Sequence, residues 1–225
     1  MRAALSVIIP TLNAAPGLPS CLAALMEGLE AGLIRELIIS DGGSTDATLQ
    51  IAEEVGAQII TGPPSRGGQI KRGIAAAQGD WLLVLHADTV LSPGWSKLAL
   101  AHLNSPQAAC FRLGFDAAGL APRMVAGWAN LRTRAFGLPY GDQGLLIPRA
   151  LHDRIGGYRD IALMEDVAIA RALRGQITVL PVTARTSAAR YAQAGWVRRG
   201  CRNLWTLIRF LCGADPDALA QAYRH

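Results

Sequence analysis

The fold of this chain is decided by one stretch of sequence, Gly79-Asp80-Trp81-Leu82-Leu83-Val84-Leu85-His86-Ala87-Asp88. Its centre, Trp81 to Leu85, is wholly apolar, as strands buried on both faces of a sheet are. Such strands are parallel and alternate with helices, so the stretch predicts an α/β protein. A carboxylate at the end of so apolar a strand needs a compensating partner such as a cation, which makes Asp88 a candidate metal ligand.

The residues before this stretch alternate between the same two patterns. Short apolar runs predict strands at 5–10, 36–40 and 57–60, and apolar residues at helical spacing predict helices at 16–31, 45–55 and 67–78. We expect Ser44 to cap the second of these helices. This part of the chain therefore predicts parallel strands covered by helices.

The pattern changes near residue 90. Strands are predicted at 109–115, 145–148 and 177–180, and helices at 93–103, 123–136, 165–174 and 196–212, with a short helix ending at Ile155 and a glycine-rich turn at 137–144. We expect a mixed, mostly parallel sheet flanked by helices. One domain over 1–225 is predicted, with a first half at 1–90, a second half at 91–192 and a C-terminal amphipathic helix and tail at 193–225.

Composition narrows the class of protein. The 225 residues are 51% hydrophobic and 17% charged, which excludes a disordered chain. The formal net charge of +5 suits an anionic ligand, an anionic membrane surface or a nucleic acid. We discount nucleic acid because the basic residues are spread out and lack interleaved aromatic residues.

Location is predicted from the apolar runs and the cysteines. No run approaches the ~20 apolar residues that cross a bilayer, so we expect no membrane-spanning helix. The four cysteines are scattered without a C-x-x-C pair. This indicates a reduced, cytoplasmic protein without a zinc site.

Polar residues follow three of the predicted strands, at the ends where parallel α/β sheets bind ligands. Thr11 and Asn13 follow the first strand, Asp41 the second, and His86 with Asp88 the fourth in this half. Asp41 precedes two glycines that let a ligand approach the backbone, so we expect its carboxylate to be free to accept from a base N–H. Ser44 and Asp46 are better explained as helix caps.

These residues resemble the family 2 glycosyltransferases, whose nucleotide-sugar-binding fold is a single α/β domain. Five stretches match in the family's order and cover about residues 5 to 175: Val7-Ile8-Ile9-Pro10-Thr11-Leu12-Asn13, Asp41-Gly42-Gly43-Ser44-Thr45-Asp46-Ala47-Thr48, the stretch 79–88, Gly156-Gly157-Tyr158 and Glu165-Asp166-Val167. Arg66-Gly67-Gly68-Gln69 and Tyr140-Gly141-Asp142-Gln143-Gly144 resemble a small bacterial branch of the family. The resemblance makes the first half nucleotide-binding and the second the acceptor and catalytic half.

The resemblance assigns roles to individual residues. It implies that Pro10, Thr11 and Asn13 line the base and ribose pocket, and that Asp41 pairs with a uracil-type base. Asp88, the last acid of the family's D-x-D pattern, would hold Mn²⁺ or Mg²⁺ on the diphosphate.

Catalytic roles follow from the same resemblance. Asp166 matches the family's general base, which takes the acceptor hydroxyl's proton and gives inversion at the anomeric carbon. Glu165 stands beside it, and acidic residues here also suit a helix N-terminus.

Basic residues provide candidate phosphate contacts. Arg66 and Lys71 could bind phosphate oxygens or simply be solvated at a helix start. Arg190 faintly matches the arginine of the family's Q-x-x-R-W signature, without its Gln and Trp.

The sequence also departs from the family. His86 stands where the first acid of D-x-D is usual, and Gly42, Ala15 and Lys71 replace a common Asp, a common acid and a frequent Asn. His86 could ligate the metal through a ring nitrogen or hydrogen-bond the ribose.

The predicted function is a metal-dependent inverting glycosyltransferase that takes a nucleotide-diphosphate sugar, with UDP favoured, to an unidentified hydroxyl acceptor that could be lipid-linked. One alternative is a nucleotidyltransferase of related fold. That class carries a glycine-rich loop with Arg and Lys after the first strand, whereas this chain has Thr11-Leu12-Asn13-Ala14-Ala15. A non-catalytic nucleotide-sugar-binding protein is the other alternative.

The last predicted helix, at 196–212, is amphipathic and basic. Its apolar residues are Leu204, Trp205, Leu207, Ile208 and Leu211, and its basic residues are Arg198, Arg199, Arg202 and Arg209. Such a helix can lie in a membrane interface, here the inner face, or can pack its apolar face on the sheet. The apolar face is no wider than core packing requires, which favours packing on the sheet.

Overall fold

Within residues 3–173 and 175–224, which this computed structural model describes apart from the side chains of Arg190 and Arg224, eight strands form one sheet. The strands are β1 (Leu5–Thr11), β2 (Ile34–Asp41), β3 (Gln58–Thr61), β4 (Trp81–Val84), β5 (Val90–Leu91), β6 (Ala108–Phe115), β7 (Leu145–Pro148) and β8 (Ile177–Thr186). Their order across the sheet is β3-β2-β1-β4-β7-β6-β8-β5.

The pairing confirms a mixed sheet with a parallel first half. β1 lies parallel to both β2 and β4, and β2 parallel to β3. In the second half β7 runs antiparallel to β4 and β6, β8 is parallel to β6, and β5 is antiparallel to β8. The carboxyl ends of β1, β2 and β4 therefore meet at one edge of the sheet.

Helices cover both faces of this sheet. They are α1 (Leu18–Glu30), α2 (Thr48–Glu54), α3 (Arg66–Ala76), α4 (Trp95–His102), α5 (Leu120–Phe136), α6 (Arg149–Arg154), α7 (Glu165–Leu173), α8 (Ala189–Ala194), α9 (Trp196–Leu211) and α10 (Pro216–Arg224), with a 3₁₀ turn at Gly141–Gln143. Side chains alternate between the faces of a strand. Val7 and Ile9 of β1 accordingly pack in one core cluster with Leu18 of α1, and Ile8 packs in a second with Ile70 of α3.

Two local predictions were wrong. Ser44 does not cap α2, which begins three residues later than predicted, because the Ser44 hydroxyl donates to Asp41 instead. Asp46 accepts from the Thr48 backbone N–H, in the first turn of α2, at 3.0 Å. β8 continues past Leu180 because its pairing with β6 shifts register around Pro181, and a bulge accommodates a residue that cannot donate to the ladder.

The C-terminal helices bury their aliphatic residues around the start of α7 rather than on the sheet, although Trp196 of α9 contacts Phe115 at the end of β6. Leu207 and Phe210 of α9 and Leu219 of α10 form a third cluster with Leu163 and Val167, around the start of α7. The expectation that α9 packs its apolar face on the sheet is therefore wrong. None of the helices described here is both long and apolar enough to span a bilayer.

Candidate active site

The loop after β2 is held by the carboxylate of Asp41, which is fully buried. Its Oδ1 accepts from the hydroxyls of Thr11 at 2.8 Å and Ser44 at 2.5 Å, and its Oδ2 from the backbone N–H groups of Gly43 and Ser44, both at 2.7 Å. Burial opposes the charge, but these hydrogen bonds outweigh it and lower the pKa of Asp41. The expectation of a free carboxylate is wrong, because both oxygens already accept two hydrogen bonds each.

The same loop is tied to the segment after β1. The exposed Asn13 has a φ of 50°, and its Oδ1 accepts from the Thr45 N–H at 2.9 Å. Its own N–H donates to Ser44 Oγ at 2.8 Å. The next two N–H groups, of residues 14 and 15, donate to Thr48 and Asp46. Pro10 lies half-buried at the end of β1. Pro10, Thr11, Asn13 and Asp41 are thus together at the sheet edge, as predicted.

Gln69 of α3 was not singled out as a site residue, although it belongs to one of the quoted stretches. Its buried amide Nε2 donates to the carbonyls of Thr11 at 2.7 Å and Ser40 at 3.0 Å. A Cβ at Gly42 would lie 3.1 Å from the Gln69 amide carbon. Gln69 therefore joins the ends of β1 and β2, and Gly42 leaves room for it.

His86 pairs with a residue from the other half of the chain. Its Nδ1 lies 2.9 Å from Oδ1 of Asp142, in the 3₁₀ turn. Burial disfavours the charged ring, but Asp142 outweighs it and raises the pKa of His86. A Cβ at Gly141 would lie only 2.4 Å from Nε2, so the second ring nitrogen faces that glycine. The arrangement does not support His86 as a metal ligand, because both ring nitrogens face protein.

Asp88 contrasts with His86. It is half-buried at the end of the β4 segment, and no described residue hydrogen-bonds to its carboxylate. Burial, and secondly the charge of Asp88, raise the pKa of nearby Cys21 to about 12. No group of three His, Cys, Asp or Glu residues able to hold a metal occurs in the described part of the chain. A lone carboxylate nevertheless fits a cation whose other ligands are phosphate oxygens and water.

Two adjacent carboxylates begin α7 and have different environments. Met164 precedes them with a φ of 66°, a backbone conformation that residues other than glycine rarely adopt. Asp166 is half-buried, and its Oδ2 accepts from the Gly141 N–H at 2.7 Å. Glu165 is 1% exposed and its Oε2 has no partner among the described residues. Burial, with the charge of Asp166, raises the pKa of Glu165 to about 7.

Two cavities meet at His86, Tyr140 and Asp166. The inner cavity is lined mainly by apolar side chains, and the carboxyl group of Glu165 also lines it. The outer one is an open cleft of about 490 Å³ that includes solvent-exposed space. Its lining comprises Arg66, His86, Tyr140, Asp142, Leu163, Met164, Asp166, Asn203 and Tyr223.

The outer cavity is polar and carries both signs of charge. Partial desolvation opposes the charge on Arg66, which is exposed at its edge of the cavity, but Glu165, Asp166 and Asp142 outweigh it and raise the pKa of this guanidinium. The predicted phosphate contact of Arg66 stays a prediction, but this side chain lines the outer cavity. Lys71 does not: it is exposed on α3 and is not among the described residues that line either cavity. The side chain of Arg190 lies outside the described residues.

The C-terminal helices supply part of this site, which the sequence did not indicate. The Tyr223 hydroxyl donates to Asn203 Oδ1 at 2.7 Å, and Asn203 Nδ2 donates to the Tyr191 hydroxyl at 2.9 Å. Arg132 of α5 lies 3.4 Å from the centre of the Tyr140 ring. Asn203 of α9 and Tyr223 of α10 thus form part of the wall of the outer cavity, and Arg132 of α5 supports Tyr140 in it.

The polar loop, the carboxylate of Asp88 and the two cavities lie at the carboxyl ends of the parallel strands, where α/β enzymes bind their ligands. The family model "Glycosyl transferase family 2" matches residues 6–158. The chain belongs to glycosyl transferase family 2, which confirms the resemblance found in its motifs.

Curated relatives match only part of the chain. The "PGL/p-HBAD biosynthesis glycosyltransferase" of Mycobacterium bovis (strain BCG / Pasteur 1173P2) is 41% identical over 93 residues, 38% of this chain and 36% of the relative. The chain thus covers about a third of that relative's length. A "TPR repeat-containing protein" of Synechococcus elongatus is 38% identical over 97 residues, 42% of this chain and 23% of that protein.

Solved structures resemble the whole fold. S. aureus TarS 1-349 superposes with a TM-score of 0.62 at 18% identity, covering 92% of this chain and 64% of TarS. Glucosyl-3-phosphoglycerate synthase of Mycobacterium tuberculosis, in complex with Mn²⁺, UDP and phosphoglyceric acid, gives a TM-score of 0.62 at 19% identity, covering 93% and 78%. At these identities the likeness establishes the fold.

Proposed function

We propose that this protein is a metal-dependent, inverting glycosyltransferase that moves a sugar from a UDP-sugar to a hydroxyl acceptor. The observation that carries the proposal is the position of Asp166. Its carboxylate lines both cavities and is oriented by the N–H groups of Gly141 and Val167, each at 2.7 Å. A fixed, partly accessible carboxylate beside a cavity suits a general base.

The donor is proposed from the sheet edge and from the neighbours. The ends of β1 and β2 carry Pro10, Thr11, Asn13 and Asp41, which the family resemblance assigns to the base and ribose. TarS has been crystallised with UDP-GlcNAc, and glucosyl-3-phosphoglycerate synthase with UDP-glucose and Mn²⁺. Because the Asp41 carboxylate is saturated, we assign it to shaping the pocket, while the exposed Asn13 and nearby backbone face the nucleotide.

We infer the transfer step from the position of Asp166, which lines both cavities. The acceptor hydroxyl gives its proton to Asp166 as its oxygen bonds to the anomeric carbon. The bond from that carbon to the diphosphate oxygen breaks, and UDP leaves with the bonding electron pair. Attack from the face opposite UDP inverts the anomeric configuration. The guanidinium of Arg66 lies close enough to the carboxylates of Glu165, Asp166 and Asp142 to balance their negative charge.

A divalent cation would be held by Asp88 together with diphosphate oxygens. It would neutralise the charge that develops on the leaving diphosphate. His86 is assigned instead to the pair with Asp142, beside the general base. We place the reaction in the cytoplasm, which is supported by four unpaired cysteines, two of them exposed.

One experiment tests the proposed glycosyltransferase activity and distinguishes it from the two alternative functions. A thermal-shift screen of UDP-, GDP-, dTDP- and CDP-sugars with and without Mn²⁺ identifies the donor, since a ligand at 100 Kd stabilises by about 2.7 kcal/mol. We expect a Mn²⁺-dependent shift with one UDP-sugar, followed by release of UDP on incubation. The Asp88→Ala variant should lose the metal dependence and keep the fold.

The alternatives give different products. Pyrophosphate release from a nucleoside triphosphate and a sugar phosphate would indicate a nucleotidyltransferase. A Mn²⁺-dependent shift without donor hydrolysis or transfer for any sugar would indicate a non-catalytic binding protein. Unchanged metal dependence in Asp88→Ala would refute the assigned metal ligand.

A further inference from the structure

Helix α9 has a second group of apolar side chains that stay largely exposed. Its inner face holds Leu207 and Phe210 in the third core cluster. Beside this inner face Val197, Leu204, Ile208 and Leu211 follow one another at spacings of seven, four and three residues, and Trp205 flanks them. These five stripe residues are between 39% and 79% exposed, and packing of the core does not explain so much exposed apolar surface.

Helix α5 repeats this arrangement. Leu120, Met124, Trp128 and Leu131 form one stripe along it and are between 52% and 74% exposed. Its buried side consists mainly of Ala129, Arg132 and Thr133. The two helices pack against each other, so the stripes lie on adjacent elements. Exposed apolar stripes on two helices that pack together are typical of an interaction surface.

The charges on these helices have one sign. The sequences of α5 and α9 contain Arg123, Arg132, Arg134, Arg198, Arg199, Arg202 and Arg209, and no Asp or Glu. Arg123 and Arg134 flank the stripe of α5, and Arg198, Arg202 and Arg209 lie along one side of the stripe of α9. Exposed apolar and aromatic residues bordered by cations are the pattern of helices that lie in the interface of an anionic bilayer.

We infer that the outer faces of α5 and α9 form one membrane-binding surface that seats the protein on an anionic phospholipid bilayer. The stripes would enter the headgroup region and the arginines would bind lipid phosphates. This surface adjoins the outer cavity, because Asn203 of α9 lines it and Tyr140, after α5, forms its wall. The inference on membrane binding does not depend on the proposed activity.

Sedimentation of the full chain with vesicles tests it. We expect the protein to pellet with vesicles containing phosphatidylglycerol at low salt, and to stay in solution with pure phosphatidylcholine or in 0.5 M NaCl (about 4 Å Debye length). Trp128→Ser with Trp205→Ser should abolish pelleting. Replacing Arg123, Arg198 and Arg202 with Gln should weaken binding by about fivefold for each arginine removed.

Matched controls distinguish binding through this surface from nonspecific adsorption to vesicles. Met26→Ser with Leu29→Ser removes two residues of α1 that are similarly exposed, at 49% and 53%. Arg154→Gln with Arg159→Gln removes exposed charge elsewhere. Both should bind vesicles like the wild type, and all variants should keep the wild-type circular dichroism and Tm because the changed side chains are exposed or lie at the surface.

Three results would overturn the inference. The first is a wild-type protein that stays in the supernatant with anionic vesicles at low salt. The second is equal loss of binding in the control variants. The third is a wild-type dimer in solution that Trp128→Ser with Trp205→Ser converts to a monomer while vesicle binding is absent, since a second copy would then cover the stripes.

Discussion

The imidazole Nδ1 of His86 lies 2.9 Å from Oδ1 of Asp142. This contact joins the end of the parallel half of the sheet to the 3₁₀ turn, and the neighbouring Gly141 N–H holds Asp166 at 2.7 Å. The position that the family usually fills with an acid is thus filled here by a residue that contacts the turn supporting the proposed base. His86 thereby couples the two halves of the site.

Gly141→Ala should therefore reduce activity with little loss of secondary structure. The added Cβ would lie 2.4 Å from His86 Nε2 and would displace the ring or the turn. Gly127→Ala is the matched control, because nothing lies within 4 Å of its added Cβ, and it should stabilise α5 by about 0.5–1 kcal/mol. Steady-state transfer rates and thermal unfolding check both variants. Equal activity in the two would show that the turn tolerates movement.

Asp166→Asn should lower kcat by about 10²–10⁴-fold and leave donor binding nearly unchanged, because general-base catalysis is lost while the fold of the pocket remains. Glu165→Gln should affect kcat less, since this carboxyl faces the inner cavity. Asp80→Asn, at an exposed position before β4, serves as the control. Turnover and donor Kd are measured for each. A larger effect in Glu165→Gln would exchange the two roles.

Stability should fall as pH rises through the region where Glu165 ionises. Burial raises its folded pKa to about 7 from an ordinary 4.5, so the folded state holds this proton more tightly than the unfolded chain. The stabilisation is complete below pH 4.5 and is lost as pH passes through about 7. In Glu165→Gln the free energy of unfolding in urea should decrease less between pH 5 and 8 than in the wild type or in Glu30→Gln. Identical slopes would contradict this.

Gln69→Ala should destabilise the protein by about 1–3 kcal/mol, because it removes the two buried hydrogen bonds to the carbonyls of Thr11 and Ser40, each contributing about 0.5–1.5 kcal/mol. Nucleotide binding should weaken as well, since the ends of β1 and β2 are no longer joined. Gln50→Ala removes an exposed amide from α2 and should change stability by less than about 0.5 kcal/mol. Urea unfolding and the donor-induced thermal shift measure both effects.

Much of the fold follows from local patterns. The apolar runs at β1, β2 and β4 and the helical spacing of α1 and α3 are set by residues close in sequence, and the structure agrees with them. The predicted end of β8 at Leu180 was wrong. A proline such as Pro181 usually ends a strand, but here a bulge in the pairing with β6 accommodates it. The helix α9 was misjudged because a helical wheel shows the width of an apolar face but not which partner covers it.

The candidate site was predictable only in part. Its motif residues lie at strand ends, and topology brings them to one edge. The free carboxylate expected at Asp41 was wrong because its partners include Thr11, which is 30 residues away along the chain. The contributions of Asn203 and Tyr223 depend on the packing of α9 and α10 on the start of α7, which no local pattern encodes.

The hydrogen bonds between residues 13–15 and 44–48 also bear on how fast a nucleotide is captured. They order both segments during folding, so little backbone entropy remains to be lost when a ligand arrives. For the proposed nucleotide-sugar donor we expect binding at such a preorganised edge to need no slow loop closure after the encounter. Association is then limited by diffusion and orientation, and differences in affinity among donors arise chiefly from how long each remains bound.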